Sequence, residues 1–203
     1  MGRRQVFDAD EVLVAVMQLF RRRGHQGTSL KDLEEATGLH PGSLYRAFGN
    51  KDALFRAALD AYVDRVVAGR IAEHLEAAHD PLAGLRAYFR STFETGLDPE
   101  PGCLVTNTAV ESFALDELTG RGVRRGLDLI ERGLRGAIVR GQTSGQIPAG
   151  ADPDRLAARL LVDYQGILVL VRAGTPAARL GAMTEDILAA LRGEPVLAPD
   201  PAH

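Results

Sequence analysis

Residues Thr28 to Phe48 read TSLKDLEEATGLHPGSLYRAF, two short helical patterns separated by Gly38-Leu39-His40-Pro41. Thr28 and Ser29 offer hydroxyls for a helix N-cap, and Leu30, Leu33 and Ala36 or Thr37 repeat at helical spacing. Gly38 stands where a helix ends best on a left-handed residue. His40 is then the cap of a second helix, and Pro41 fits its first turn, where a missing backbone N–H costs nothing. Leu44, Tyr45 and Phe48 mark its apolar face. Two helices joined by a turn of about four residues around a glycine have the form of a helix-turn-helix, whose second helix can enter the major groove of DNA. Similar hairpins occur in all-α proteins that never meet nucleic acid, so the flanking sequence decides the reading.

Upstream, Val12, Val16, Leu19 and Phe20, widened by Leu13 and Met17, form a helical face broad enough to pack on both hairpin helices. Arg21, Arg22 and Arg23 close that helix before Gly24, where they complement its dipole and lie in position to approach a phosphate backbone. Downstream, Asn50 caps a helix beginning Lys51-Asp52-Ala53-Leu54-Phe55. The three helices form a compact head.

At these residues the chain resembles the tetracycline-repressor-like (TetR/AcrR) family of one-component transcriptional regulators. The resemblance rests on Leu19-Phe20 with Gly24, Thr28-Ser29-Leu30, Leu33, Ala36, Gly38, Gly42-Ser43-Leu44-Tyr45-Arg46-Ala47-Phe48 and Asn50 to Phe55, and it covers residues 7 to 60. Pro101 to Asn107 is similar to the start of a core helix in one subgroup, and Gly141 to Ile147 followed by Asp152 to Gly174 is similar to the family's last inter-helix turn and dimer helix. The resemblance implies a repressor that binds a palindromic operator as a homodimer and is released by a small-molecule effector of unknown identity. Two positions depart from the pattern: His40 replaces the more usual Ser or Thr cap, and Ala47 stands where His is common.

Composition agrees. The 203 residues are 45% hydrophobic, enough for a substantial core, and the single cysteine excludes an intramolecular disulfide or a Cys-based zinc cluster. No apolar run reaches membrane-spanning length and MGRRQVFDAD lacks a secretion signal, so a cytoplasmic protein without membrane partners is expected. The net charge of −3 divides unevenly: residues 1–51 hold eight Lys or Arg against six Asp or Glu, an excess of +2, and the remainder carries −5. Positive charge thus gathers in the segment expected to meet phosphates.

From residue 51 onward the chain reads as helices punctuated by Asp-Pro and by other turns containing Pro or Gly. One runs from Asn50 to His79, one from Asp80-Pro81 to Leu97, one from Cys103 to Leu115, one from Asp116 to Arg140, and the last two open at Asp152-Pro153 and Thr175-Pro176. Asp98 to Gly102 is a turn. The glycines at 120, 122, 126, 133, 136 and 141 make the Asp116 helix the least secure, because an interior glycine costs about 1 kcal/mol relative to alanine; either close packing or a bend would account for them. The fold class is all-α, with a DNA-binding head at 1–50, a ligand-binding and dimerisation body at 51–194 and a disordered tail at 195–203. Leu156, Leu160, Tyr164, Ile167, Leu168 and Val171, with Leu180, Met183, Ile187 and Leu191, are stripes that either pair with a symmetry mate as a four-helix bundle or complete the monomer's own core. The resemblance favours the dimer, through helices at about 153–173 and 176–192.

Roles follow from side-chain chemistry. His40, Gly42, Ser43 and Arg46 are placed for base edges, Arg46 with the fork that suits guanine. Tyr45, Lys51, Thr28 and Ser29 suit phosphates, and Arg3 and Arg4 a basic arm. A half-buried core role competes for Tyr45. Tyr62, Tyr88, Phe89, Phe93, Cys103, Asn107, Phe113, Tyr164 and Gln165 have the composition of a small-molecule cavity and equally that of an aromatic core. Cys103, at a helix N-terminus, allows an alternative regulator that senses oxidants or electrophiles. An enzyme, or a helical ligand-binding protein without DNA affinity, is the other alternative. His25, His40, His74, His79 and His203 are scattered, His74 and His79 are five apart rather than four, and no zinc-protease, nucleophile-elbow or phosphate-loop motif occurs. No catalytic residue, metal or cofactor is therefore expected.

Overall fold

The computed structural model describes residues 8–94, 102–111 and 116–194, and every regular element among them is helical. Arg3 and Arg4, the turn at 98–101, Phe113, the ends expected at Leu97 and Leu115, and the tail at 195–203 lie outside the described residues. In chain order the helices are α1 (Ala9–Arg23), α2 (Leu30–Thr37), α3 (Pro41–Phe48), α4 (Lys51–Tyr62), α5 (Pro81–Arg90), α6 (Leu104–Glu111), α7 (Glu117–Thr143), α8 (Pro153–Arg172) and α9 (Ala177–Leu191). Beyond Tyr62 the backbone stays helical: Val63–Val67 and Ile71–Glu76 are π-helical, with α-helical Ala68–Arg70 between them.

Most starts are fixed by one side chain satisfying an N–H that the first helical turn leaves without a partner. Asn50 accepts from the Ala53 N–H at 2.8 Å, Asp80 from Ala83, and Asp152 from Asp154. Asp116 accepts from the Leu118 and Thr119 amides. Such caps each contribute about 1 kcal/mol. Pro176 occupies the cap of α9 with no side-chain hydrogen bond.

The chain packs as two compact units. The first joins residues up to 66 with 103–124. Its core is Val16, Phe20, Leu33, Leu44, Leu54 and Ala58, all fully buried, with Phe20 edge-on to Phe55 at 4.9 Å. α1 packs on α2, α4 and α6, and α4 also packs on α3.

The second unit joins, among the described residues, 67–94 and 102 with 125–194. Tyr88 stacks on Tyr164 at 4.8 Å and Phe89 meets the same ring edge-on, within a core that includes Leu75, Leu85, Leu134, Ile138 and Leu188. Arg86 forms a two-pronged pair with Glu185, joining α5 to α9.

α7 is one uninterrupted helix of 27 residues despite its glycines. Close packing accounts for several of them. A Cβ on Gly133 would lie 2.9 Å from Ile71 Cγ2, and one on Gly141 would lie 2.6 Å from Ile147 Cδ1. Helix propensity is given up there in exchange for close approach.

The stripes on α8 and α9 are mainly interior. Leu160, Tyr164, Ile167, Leu168, Val171, Leu180 and Leu191 are buried within the single chain. A stripe reports that a face is covered and does not name what covers it. The apolar surface α8 leaves open is a different one, with Val162 67% and Val169 48% exposed and Gly166 between them on the same face.

Glycines in α7 should therefore respond unequally to alanine. At Gly136 the nearest atom to an added Cβ is Arg140 Nη1 at 3.6 Å, ordinary contact. Gly136→Ala is expected to stabilise the protein by about 0.5–1 kcal/mol through helix propensity. Gly133→Ala should lose that gain to collision with Ile71 and melt below the wild type. Thermal unfolding of both variants checks the difference.

Candidate nucleic-acid interface

Helices α2 and α3 have eight residues each, too short to persist alone in water. Both are held at their ends and on one face. At α2, the Ser29 N–H and hydroxyl donate to Asp32 Oδ2 at 2.8 and 2.7 Å, and the Asp32 N–H donates back to Ser29 Oγ. Arg23 at the end of α1 pairs with the same carboxylate. These donors, led by the Ser29 hydroxyl, hold the Asp32 carboxyl at about 2 against an ordinary 3.8. At the other end, Gly38 takes the left-handed conformation (φ 67°) and its N–H donates to the Glu34 carbonyl. Side chains other than Asn and Asp rarely adopt that conformation.

α3 begins with His40, whose Nδ1 accepts from the Gly42 N–H at 3.2 Å, and with Pro41 in the first turn. A neutral ring in that arrangement carries its proton on Nε2, a donor directed away from the cap. Leu33 and Leu44 are fully buried, so each short helix is fixed by one leucine in the core. His40, Gly42, Arg46 and Ala47 are exposed, while Ser43, Tyr45 and Lys51 are half-buried. Burial, and secondarily the Asp52 carboxylate, push the Tyr45 hydroxyl above its usual range, keeping it a neutral donor.

Other side chains serve the head's internal structure. Thr28 is buried and its hydroxyl donates to the Gly24 carbonyl at 2.7 Å, so it closes the turn instead of facing outward. Arg21 is also buried and Arg23 pairs with Asp32, which changes the expectation that this basic run reaches phosphates. Asn107 donates from Nδ2 to the Arg21 carbonyl. Glu111 accepts from the His25 and Gln26 N–H groups at 3.0 and 2.8 Å. The His25 ring reaches Asp52 Oδ1 at 2.9 Å and packs edge-on to Phe55. Glu111 and Asp52 could not be singled out from sequence, because their partners are remote backbone amides and a remote ring.

The proposed cavity residues separate. Tyr62, Cys103 and Asn107 fall in the first unit; Tyr88, Phe89, Phe93, Tyr164 and Gln165 fall in the second. Tyr88, Phe89 and Tyr164 pack ring on ring. Cys103 is 3% exposed and caps α6 through its carbonyl, which accepts the Asn107 N–H. Among the described residues no helix is long and apolar enough to cross a membrane.

Comparison with known proteins places this geometry. Residues 12–58 match the model for bacterial regulatory proteins of the tetR family, and residues 81–185 match the tetracyclin repressor-like C-terminal domain. The chain belongs to the TetR family. It is 33% identical to the HTH-type transcriptional repressor ComR of Escherichia coli K12 over 88% of this chain and 86% of that protein. It is 28% identical to the repressor DhaR of Mycobacterium sp. strain GP1 over 76% and 77% of the two chains. A cysteine-substituted CifR, a TetR family regulator complexed with 26-bp operator DNA, superposes with a TM-score of 0.81 at 32% identity, covering 94% of this chain and all of that one. TetR family members are transcriptional regulators, a class that is not generally enzymatic.

The Asp32 cap gives the TetR-type hairpin a predictable acid response. A carboxyl held below its ordinary value contributes stability above that value and loses it as pH falls toward the folded-state value. The stability difference between wild type and Asp32→Ala should be constant above about pH 5 and shrink between about 4 and 2. Urea midpoints measured across that range test it.

Proposed function

We propose that this chain is a cytoplasmic one-component repressor that binds a palindromic operator as a homodimer and is released by a small-molecule effector. The observation carrying this is the exposed face of α3, held by a capped turn over buried Leu33 and Leu44. A short helix with an open outer face and a buried inner one has the shape and chemistry of a major-groove reader. Residues 1–50 do the reading; residues 51–194 bind the effector and form the dimer, with Phe89, Phe93, Tyr164 and Gln165 the candidate lining in the second unit. His40, Gly42, Ser43 and Arg46 face base edges, and Ser29, Tyr45 and Lys51 face phosphates. Thr28 supports the turn from inside.

Operator binding is tested by titrating the protein with short duplexes tiling the DNA upstream of its own gene, against random-sequence competitor. No preference for any tile at moderate salt would reject the proposal. With the preferred duplex in hand, Lys51→Ala should weaken specific and random DNA alike and reduce the salt slope by about one, whereas Arg46→Ala should relax preference at one position per half-site. Equal losses on both DNAs for both variants would contradict the division of roles.

The dimer is proposed through α8 and α9, using the open face at Val162, Gly166 and Val169 instead of the buried stripes. A charge placed in such a seam loses its water on association and strongly opposes it. Val162→Asp should therefore give a monomer in sedimentation velocity and abolish operator preference, with helix content unchanged.

A further inference from the structure

α6 enters the first compact unit 86 residues after the turn it touches. Asn107 and Glu111 are four residues apart and so share one face of that helix. From it, Asn107 holds the last turn of α1 by donating to the Arg21 carbonyl, and Glu111 takes up the two N–H groups that follow Gly24. The turn is shaped around this carboxylate. Gly24 adopts φ 71° and ψ 178°, and a Cβ there would lie 2.6 Å from both Glu111 oxygens. The His25 ring packs against Phe20 and Phe55, with its Nε2 2.9 Å from Asp52 Oδ1. The backbone between α1 and α2 is thus fixed at consecutive amides by a helix outside the reading head.

We infer that Glu111 is a positioning residue for DNA recognition: its carboxylate sets the turn from which α2 and α3 are aimed. The inference rests on the operator-binding function proposed above. A solvated carboxylate beside a DNA-binding surface repels phosphates, so removing one that served no other purpose would leave DNA affinity unchanged or raise it. A carboxylate that aims the hairpin has the opposite sign, since its loss lets the two heads depart from the half-site geometry while the phosphate-facing cations remain.

The test compares wild type, Glu111→Ala and Glu111→Gln on the preferred duplex and on random duplex, with amide exchange followed at His25 and Gln26. Glu111→Ala should weaken operator binding about tenfold, the scale of one or two lost charge-assisted hydrogen bonds, without changing random-DNA affinity or the salt slope. Exchange at both amides should accelerate. Glu111→Gln, with a carbonyl left to accept from one amide, should fall between the two, and it carries the test if the alanine variant does not fold. Unchanged or tighter operator binding in a folded variant, equal loss on both duplexes, or unaltered exchange would each overturn the inference. If wild type shows no operator preference, the proposed function fails on its own account, while amide exchange still decides whether Glu111 holds the turn.

Discussion

Everything the reading head does depends on keeping two eight-residue helices in place when neither can sustain itself. Local hydrogen bonding supplies part of the answer: Ser29 and Asp32 close one end of α2, Gly38 the other, and His40 opens α3. Hydrophobic burial supplies the remainder. Leu33 and Leu44 are inserted into a core built by α1 and α4, where the edge-on Phe20–Phe55 pair adds about 0.5–1.5 kcal/mol beyond area burial. With the inner faces committed to that core, the outer face of α3 remains for other chemistry.

The legible features in the sequence were those whose cause lies within a few residues. Ser29, His40, Asn50, Asp80, Asp116 and Asp152 all cap the helices expected of them, because a cap needs only a side-chain oxygen or nitrogen two or three positions before its N–H. Thr28 shows where this reasoning ends. It neighbours the cap, but its hydroxyl reaches back to Gly24, a choice set by the three-dimensional turn. Asn107 has the composition of a cavity residue and also donates to the Arg21 carbonyl of α1, a partner 86 residues away that nothing in its own neighbourhood names. The α8 and α9 stripes revealed burial correctly without saying whether the cover came from the same chain.

Charge follows the same division of labour. The cationic excess of the first 51 residues is small, and two of its arginines are committed internally: Arg21 is buried and Arg23 pairs with Asp32. Net charge therefore overstates the cation supply for a polyanion. Arg46 and Lys51 matter because of where α3 and the start of α4 hold them.

The packing of α6 against the α1–α2 turn bears on how such regulators exchange parts. A recombination joining one relative's first 50 or 66 residues to another's remainder would carry over the whole hairpin and leave behind Asn107, Glu111 and the start of α7, which belong to the same compact unit. The seam that preserves the unit requires three crossovers, one after residue 66 and one on each side of 103–124. A hairpin moved with residues 1–66 alone would therefore meet whatever side chains the recipient carries in place of Asn107 and Glu111, so the partners of its turn change even when every residue of the hairpin is kept.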